Sequence, residues 1–329
     1  MGISVRFVII LQFLTCACAH RQPIELREIS HFDTPGWAHD IALDGDNLYV
    51  ADRQGGFLTF NSASDYKAPR IAAPVRDVIS LSPNSGMPVL ASRFEGLVLV
   101  SSLGEVINRY SNGDIANAVE VRGNLAFAAY GLQGLVIMRI ANGHAQLVST
   151  LPTTGWSHDL RLSRDQALIA DWNGLKVVDI RDPEKPAQAG FLPSPATCIS
   201  LSVQESGGSR MVALAEGHAG IALARLDAGG HAFLISRNYL GLKPTDPTHP
   251  ESGGWVHGVA WAGRYLFAAN WKRGLAVLDC ANVEKPQVIL EFPSSGTALG
   301  VKTRRQPDGS YLVFLADGES GLRIFRFIG

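Results

Sequence analysis

The sequence predicts an all-β protein, a seven-bladed β-propeller with four-stranded antiparallel blades, from three observations. A short pattern recurs seven times, turn residues separate short apolar strands within each copy, and helical periodicity is absent. Each copy has an alanine, four residues (three in the fourth copy), a glycine and an apolar strand. The alanine and the glycine of the seven copies are, in order, Ala51 and Gly56, Ala91 and Gly96, Ala129 and Gly134, Ala170 and Gly174, Ala215 and Gly220, Ala269 and Gly274, and Ala316 and Gly321. Neighbouring copies lie about 40 to 50 residues apart, the length of one blade.

The first copy indicates how a blade is built. Residues 37–43 form the predicted inner strand, residues 47–51 the second and residues 57–60 the third, and the outer strand follows near Arg70. Apolar residues occupy both parities of these strands, which is typical of sheets covered on both faces. The repeated glycine allows the backbone to turn between strands two and three.

The two ends of the mature chain are predicted to share one blade. Residues 297–328 supply three strands of blade seven, and a spare strand at about residues 24–32 can supply the fourth. Pairing these segments would remove a free sheet edge. We therefore expect residues 20–329 to form a single domain that the N-terminal strand closes.

Residues 1–19 have the features of an export signal. They carry one charge, an apolar stretch at residues 7–14 and the small-residue cleavage pattern Ala17-Cys18-Ala19. The prediction is an exported protein, which is periplasmic, on the cell surface or extracellular. A lipid anchor on a signal cysteine is the alternative, and no other segment has transmembrane character.

Composition excludes some partners and restricts the role of the cysteines. The chain has 29 basic and 30 acidic residues and no basic run, so nothing favours a nucleic-acid partner. Two cysteines remain after the signal, Cys198 and Cys280, on the inner and outer strands of neighbouring predicted blades. We interpret both as buried small hydrophobes rather than as a disulfide or a nucleophile.

Two stretches resemble the LVIVD repeat of bacterial secreted proteins. Residues 174–180 read Gly-Leu-Lys-Val-Val-Asp-Ile and precede Asp-Pro-Glu-Lys-Pro at residues 182–186. Residues 274–279, with residues 282–286, are a second match, whereas residues 134–140 match the strand alone. The resemblance extends over nearly the whole mature chain and implies a propeller of secreted or surface proteins. It implies little about function, because a fold does not determine chemistry.

Three copies of a Gly-Trp-x-His run are the clearest candidate site. Their aromatic and imidazole pairs are Trp37 with His39, Trp156 with His158, and Trp255 with His257. Blades one, four and six carry them and divide the ring fairly evenly, so the imidazoles are expected to face a common axis. The predicted counterparts in the other blades are Arg76, Asn117, Thr197 and Leu299.

Two chemical roles and one structural role fit these histidines. His39, His158 and His257 together could bind a transition metal and leave coordination positions open. As catalytic groups they could act as general acids or bases, since imidazole titrates near neutral pH. Alternatively, each histidine ties its blade to a neighbour by a hydrogen bond, a role that the nearby Asp40, Asp77 and Asp159 also suit.

A second candidate set lies at the turn after each repeat alanine, which should open on the same face. Trp172 and Trp271 add aromatic surface there, suited to sugars, aromatic compounds or peptide side chains. Basic residues on one side could meet a carboxylate. The basic residues at this turn are Arg53 and Arg93. The further predicted ligand-binding residues are Asp52, Tyr130, Asp171, Glu216 and Asn270, together with Arg76 at the histidine position of blade two. For each of these, a solvated loop residue is the alternative interpretation.

The connection at residues 238–253 is longer than its counterparts and rich in proline. It leads into the third Gly-Trp-x-His run, so we interpret it as a lid over the channel, with an undecorated surface loop as the alternative.

Three functional hypotheses follow from these features. The first is an exported propeller that binds a small molecule or a protein partner at its top face. The second is a lyase, isomerase or hydrolase that uses the histidines, and the third is an envelope scaffold that uses the sides of the blades. The sequence contains no nucleophile elbow, phosphate loop, HExxH motif or EF-hand loop. The sequence firmly implies no cofactor, and a transition metal at the three histidines is the candidate that remains open.

Overall fold

The structure, a computed structural model, describes residues 24–61, 70–73, 75–84, 87–101, 103–240 and 255–329. The described residues form seven four-stranded antiparallel sheets arranged as the blades of a propeller, which confirms the predicted fold. Blades one to three are β2 (Asp40–Asp44), β3 (Asn47–Ala51), β4 (Phe57–Asn61) and β5 (Arg70–Ala73); β6 (Val78–Ser82), β7 (Val89–Ser92), β8 (Gly96–Val100) and β9 (Val106–Tyr110); and β10 (Ala116–Arg122), β11 (Leu125–Tyr130), β12 (Gly134–Ala141) and β13 (His144–Leu151).

The remaining blades repeat this order from the inner to the outer strand. Blades four to six are β14 (Ser157–Ser163), β15 (Gln166–Asp171), β16 (Gly174–Asp179) and β17 (Ala187–Pro193); β18 (Ser200–Ser206), β19 (Ser209–Ala215), β20 (Ile221–Leu226) and β21 (Ala232–Asn238); and β22 (Gly258–Ala262), β23 (Tyr265–Ala269), β24 (Leu275–Asp279) and β25 (Gln287–Phe292). Blade seven is β26 (Gly300–Arg305), β27 (Tyr311–Ala316), β28 (Leu322–Ile328) and the N-terminal β1 (Glu25–Phe32).

Closure of the ring by the N-terminal strand is confirmed. β1 runs antiparallel to β28, from the pair of Glu25 with Ile328 to the pair of Phe32 with Leu322. The buried Arg323 of β28 donates to Glu28 of β1 at 2.9 Å, so a charge-assisted bond supplements the backbone ladder.

The core is divided among the seven interfaces between neighbouring blades. Each interface has its own apolar cluster, and each cluster draws side chains from two adjacent sheets. Every residue of β6 and of β8 is buried, as expected for sheets covered on both faces.

The repeated glycine is required both by its conformation and by its surroundings. All seven copies have positive φ, from 72° at Gly96 and Gly321 to 136° at Gly174. A Cβ at Gly96 would lie 2.2 Å from the carbonyl oxygen of Tyr110, and one at Gly321 would lie 2.2 Å from that of Phe32. Any other residue would be strained and would separate the third strand from the outer strand.

The first inner strand begins at Asp40, three residues later than predicted. Ala38 instead exchanges two backbone hydrogen bonds with Gly318 of blade seven, so this segment crosses between blades before β2 begins. Sequence periodicity does not distinguish this cross-blade bridge from a strand.

Both cysteines are free and buried, which confirms their interpretation as small hydrophobes. Burial raises the pKa of Cys198 and raises that of Cys280 to about 12, so both remain thiols. The predicted placements of both cysteines on strands are wrong, since Cys198 precedes the inner strand β18 and Cys280 follows β24, a third strand.

The export signal at residues 1–19 and most of the predicted lid lie outside the described residues. Within the described ranges, no helix combines the length and apolar character needed to cross a bilayer.

Candidate functional site

The central channel opens on the face where the inner strands begin, which we call the upper face. The turns between second and third strands lie on the same face. A cavity of about 630 Å³ occupies the upper end of the channel, and we call it the upper chamber. Its apolar walls are Ile79, Trp172, Ile199, Trp255 and Trp271.

The polar lining of the upper chamber contains all three predicted histidines. The polar lining side chains are His39, Arg93, Asn117, His158, Thr197 and His257. The structure therefore brings together the imidazoles of blades one, four and six, along with the predicted Trp172, Trp255, Trp271 and Arg93.

The equivalents of the histidines in two other blades differ from those assigned from the sequence. The backbone N–H of His39 donates to Ala51, and that of Ile199 donates to Ala215, so both face a repeat alanine. In blade two a β-bulge places Ile79 at this position. The assignments of Thr197 in blade five and Arg76 in blade two were therefore wrong.

These shifts explain which lining residues the sequence missed. Ile79 and Ile199 supply apolar wall but belong to no motif. Counting back across the turn from the repeat alanine would have placed Ile199 at the histidine position. The β-bulge that brings Ile79 to this position in blade two leaves no signal in the sequence. Arg76 is exposed and its backbone N–H donates to Glu95.

Two of the histidines tie blades together, which confirms the structural role proposed for them. His39 Nδ1 donates to the carbonyl oxygen of Ile79 at 2.8 Å, and His257 Nδ1 donates to that of Leu299 at 3.0 Å. Each acceptor belongs to the next blade around the ring. Because a carbonyl oxygen only accepts, Nδ1 carries the hydrogen in both rings.

The aspartates beside the inner-strand histidines act in the same way. Asp40 accepts a hydrogen bond from Ser80 Oγ of blade two at 2.9 Å, and Asp159 accepts one from Ser200 Oγ of blade five at 2.9 Å. Asp77 binds Arg53 of blade one at 2.7 Å, so this predicted rim arginine is engaged in an ion pair between blades.

Burial keeps the three imidazoles uncharged at neutral pH. It lowers the pKa of His158 to about 4 and, reinforced by the neighbouring His39, lowers that of His257 to about 3. Burial likewise lowers the pKa of His39. A ring that is neutral at pH 7 has no ionised N–H to give up, so the lowered pKa values do not favour a general acid here.

The histidines do not form a metal-ligand set. The rings of His39 and His257 meet edge to face with centroids 5.3 Å apart, whereas the ring of His158 contacts Trp172 at 6.5 Å. Across the described parts of the chain, no group of three or more His, Cys, Asp or Glu side chains is placed to hold a metal ion. The geometry therefore does not support the transition-metal hypothesis.

The polar residues after the repeat alanines are not among the residues that line the upper chamber. Asp52 is buried and accepts hydrogen bonds from Thr34 Oγ1 at 2.5 Å and from the backbone N–H of Gly36 at 2.7 Å. Glu216 binds Arg237 at 2.7 Å. Such carboxylates stabilise the turns beneath the upper face, because buried polar groups need partners.

The other members of this set are also buried within the blades. Tyr130 donates to the carbonyl oxygen of Tyr110 at 3.2 Å, and Asp171 accepts from the backbone N–H of Asn173 at 3.0 Å. Asn270 is 1% exposed, with no hydrogen-bond partner among the described residues for its side chain.

Two of the motif tryptophans pack on a glycine in the turn of the preceding blade. A Cβ at Gly318 would meet the indole of Trp37 at 2.5 Å, and one at Gly217 would meet the indole of Trp255 at 3.1 Å. Trp37 and the half-buried Trp156 lie outside the chamber lining, whereas Trp255 reaches it.

Blades one and six have a large side chain at the turn position of these glycines, Arg53 with φ of 41° and Trp271. Trp271 has φ of 49°, a conformation that glycine adopts at Gly217 and Gly318. Its ring lies 6.3 Å from that of His257 and faces the chamber. The left-handed conformation costs a non-glycine residue about 1–2 kcal/mol, so the fold accepts strain to hold an indole there.

Comparison with known protein families tests the resemblance in the sequence. The family described as LVIVD repeat matches residues 35–59, 154–191 and 253–292. The chain carries LVIVD repeats. The three matched stretches contain the three Trp-x-His pairs, so the matched repeats belong to the blades whose histidines line the upper chamber. No functionally curated protein matches the LVIVD-repeat chain.

Solved structures share the fold of the LVIVD-repeat chain at low sequence identity. The β-propeller domain of Cps50 (Swd1) from Myceliophteria thermophila has a TM-score of 0.69 and 12% identity, covering 90% of this chain and 99% of its own. The WD40 β-propeller domain of Doa1 has a TM-score of 0.69 and 10% identity, covering 92% and 97%. A Lactobacillus plantarum protein has a TM-score of 0.64 and 16% identity, covering 89% and 98%. These likenesses show the fold alone.

Proposed function

We propose that this protein binds a small organic ligand with a flat apolar or aromatic body in its upper chamber. One observation carries the proposal: three tryptophans and two isoleucines from four blades form the walls of a single cavity of about 630 Å³. Ligand sites are typically clefts of about 300–1,000 Å³ with apolar and aromatic walls and a few polar groups.

Two features of the walls support a binding role over a purely structural one. Trp172 is 55% exposed although its indole lines the chamber, so its apolar surface is available to a ligand. Trp271 is held in a strained backbone conformation beside His257. A side chain that only filled the channel would not leave an indole this exposed.

We also propose that the protein acts after export, because residues 1–19 have the pattern of a cleavable signal. N-terminal sequencing of the secreted protein should find His20 first. Retention of residues 1–19 in the mature protein, or a lipid on a signal cysteine, would contradict simple cleavage.

The binding proposal is tested with Trp172→Ala and a matched control. The aromatic probes 2-naphthol and 4-phenylphenol are titrated into the wild type and each variant, and calorimetry gives their affinities. We expect Trp172→Ala to weaken binding about tenfold, because aromatic anchors in binding sites are commonly worth 1–2 kcal/mol or more. Leu132→Ala changes a 64% exposed residue in the corresponding turn of blade three, outside the chamber lining, and should leave binding unchanged. Absence of saturable binding, or equal losses in both variants, would contradict the proposal.

A further inference from the structure

We propose that the ligand of the upper chamber is an aromatic carboxylate whose carboxyl group pairs with the guanidinium of Arg93. This inference rests on the proposed ligand-binding function and specifies the chemical class of ligand for that site.

The first step concerns the place of Arg93 in the ring. It is the second residue after the repeat alanine of blade two, and the same position carries Trp172 in blade four and Trp271 in blade six. All three side chains line the upper chamber. In blades three, five and seven this position is a glycine, so turns without side chains separate the guanidinium from the two indoles. A ligand in the chamber therefore meets one cation and two indoles at equivalent places around the ring.

The second step concerns the hydrogen-bonding groups of Arg93, which are available to a ligand. Its side chain is 47% exposed, and its one ion pair among the described residues joins Nε to Asp77 Oδ2 at 3.9 Å. That separation is too long for a hydrogen bond. Asp77 is bound instead by Arg53, at 2.7 Å. Two arginines thus share one carboxylate, and Arg93 keeps N–H donors for another.

The third step concerns charge. Among the described residues that line the chamber, Arg93 is the one that is charged at neutral pH, because the three imidazoles are neutral. Burial lowers the pKa of His39 and of His158, and the positive charge of Arg93 lowers both further. The field of the guanidinium therefore reaches two rings on the chamber wall. A ligand with a single negative charge would balance it.

The chemistry of the walls narrows the choice among ligands. A carboxylate is planar, ionised at neutral pH and matched to the paired N–H groups of a guanidinium. A phosphate monoester carries up to two charges, and these mainly apolar walls offer a single cation. A neutral ligand would cover Arg93 without pairing its charge, which is costly. An aromatic ring attached to the carboxylate suits the indoles.

The test compares aromatic carboxylates with their primary amides, which keep the ring and the planar polar group but carry no charge. Calorimetric titrations at pH 7 use 2-naphthoate and biphenyl-4-carboxylate, each with its amide, and 2-naphthyl phosphate as the phosphate arm. We expect each carboxylate to bind about tenfold more tightly than its amide, because hydrogen bonds between charged partners are the stronger ones. Equal affinity of carboxylate and amide, or tighter binding of the phosphate, overturns the inference and leaves ligand binding intact. Failure of all the aromatic probes to bind contradicts the proposed function itself.

Substitution of Arg93 locates the cation. In Arg93→Gln the preference for carboxylate over amide should fall below about twofold, while the amide still binds. Arg93→Lys keeps the charge without the fork of N–H groups, so its preference should fall to about threefold.

The matched control removes a positive charge from the same face of the propeller. Lys272 follows Trp271 in the turn of blade six, pairs with Glu319 and lies outside the chamber lining. Lys272→Gln should keep the full preference for carboxylates. If Arg93→Gln retains the preference with a native melting curve, or if Lys272→Gln loses it equally, Arg93 does not bind the carboxylate.

Discussion

Individual side chains at the inner ends of the blades supplement the apolar contacts between sheets with hydrogen bonds. His39 reaches the Ile79 carbonyl oxygen, and Asn117 reaches that of Ser157, each in the following blade. His257 makes the same kind of bond to the Leu299 carbonyl oxygen, so this position is polar in blades one, three and six, whereas blades two, five and seven have Ile79, Ile199 and Leu299 there.

Substitution of two chamber histidines should distinguish a ring that ties two blades together from one whose Nε2 has no hydrogen-bond partner among the described residues. His257→Phe leaves the Leu299 carbonyl oxygen without its donor, so we expect the free energy of unfolding to fall by about 1–3 kcal/mol. His158→Phe removes a nitrogen that has no hydrogen-bond partner, so stability should hold or rise. Urea unfolding at neutral pH measures both. A larger loss in His158→Phe than in His257→Phe would refute this assignment of roles.

At the scale of the strand, the repeat predicted most of what is observed. Residues 47–51 were predicted as a strand with the bounds of β3, and the predicted N-terminal strand agrees with β1 within a residue. The start of β2 was not predictable, because the bridge from Ala38 to Gly318 joins residues 280 positions apart. Local pattern carries no information about such a distant partner.

β1 offers a matched test of ring closure. Phe32 packs edge to face on Phe60 of blade one at 5.4 Å, whereas Ile29 on the same strand is 43% exposed. We expect Phe32→Ala to lower the free energy of unfolding by about 2–3 kcal/mol, somewhat less than for a fully buried ring. Ile29→Ala should change it by less than about 0.5 kcal/mol. Equal effects in chemical denaturation would mean that β1 does not anchor blade seven to blade one.

For the whole molecule, sequence reasoning identified the asymmetry of the ring but not the function of its centre. The histidines of blades one, four and six do reach one chamber, as their spacing predicted. Whether they share a metal, tie blades or face a ligand depends on the channel width and on the direction of each ring. The channel width and the ring directions depend on how the seven sheets close into a propeller. The three roles could therefore be distinguished only from the contacts of the imidazole rings and from the carbonyl oxygens that they bind.

Stability of the whole propeller should depend on pH through these buried rings. In the folded protein the pKa values of His39, His158 and His257 lie below 6.5, and that of His158 is lowered to about 4. Unfolded chains have ordinary imidazoles, so below pH 6.5 the unfolded state binds more protons than the folded state. Stability is therefore fully present above pH 6.5 and is lost as pH falls.

The expected slope is up to about 1.4 kcal/mol per pH unit for each histidine that stays neutral in the folded state, between pH 6.5 and about 5. At lower pH, the raised pKa values of the buried Asp52 and the half-buried Glu120 act in the opposite direction. Charges that bear on His158 are those of Asp159, Asp171 and Arg93, and they remain in place in His158→Phe. Urea unfolding across this window should show a shallower slope in that variant than in the wild type. If the free energy of unfolding depends on pH equally steeply in His158→Phe and in the wild type, His158 already takes up its proton in the folded propeller.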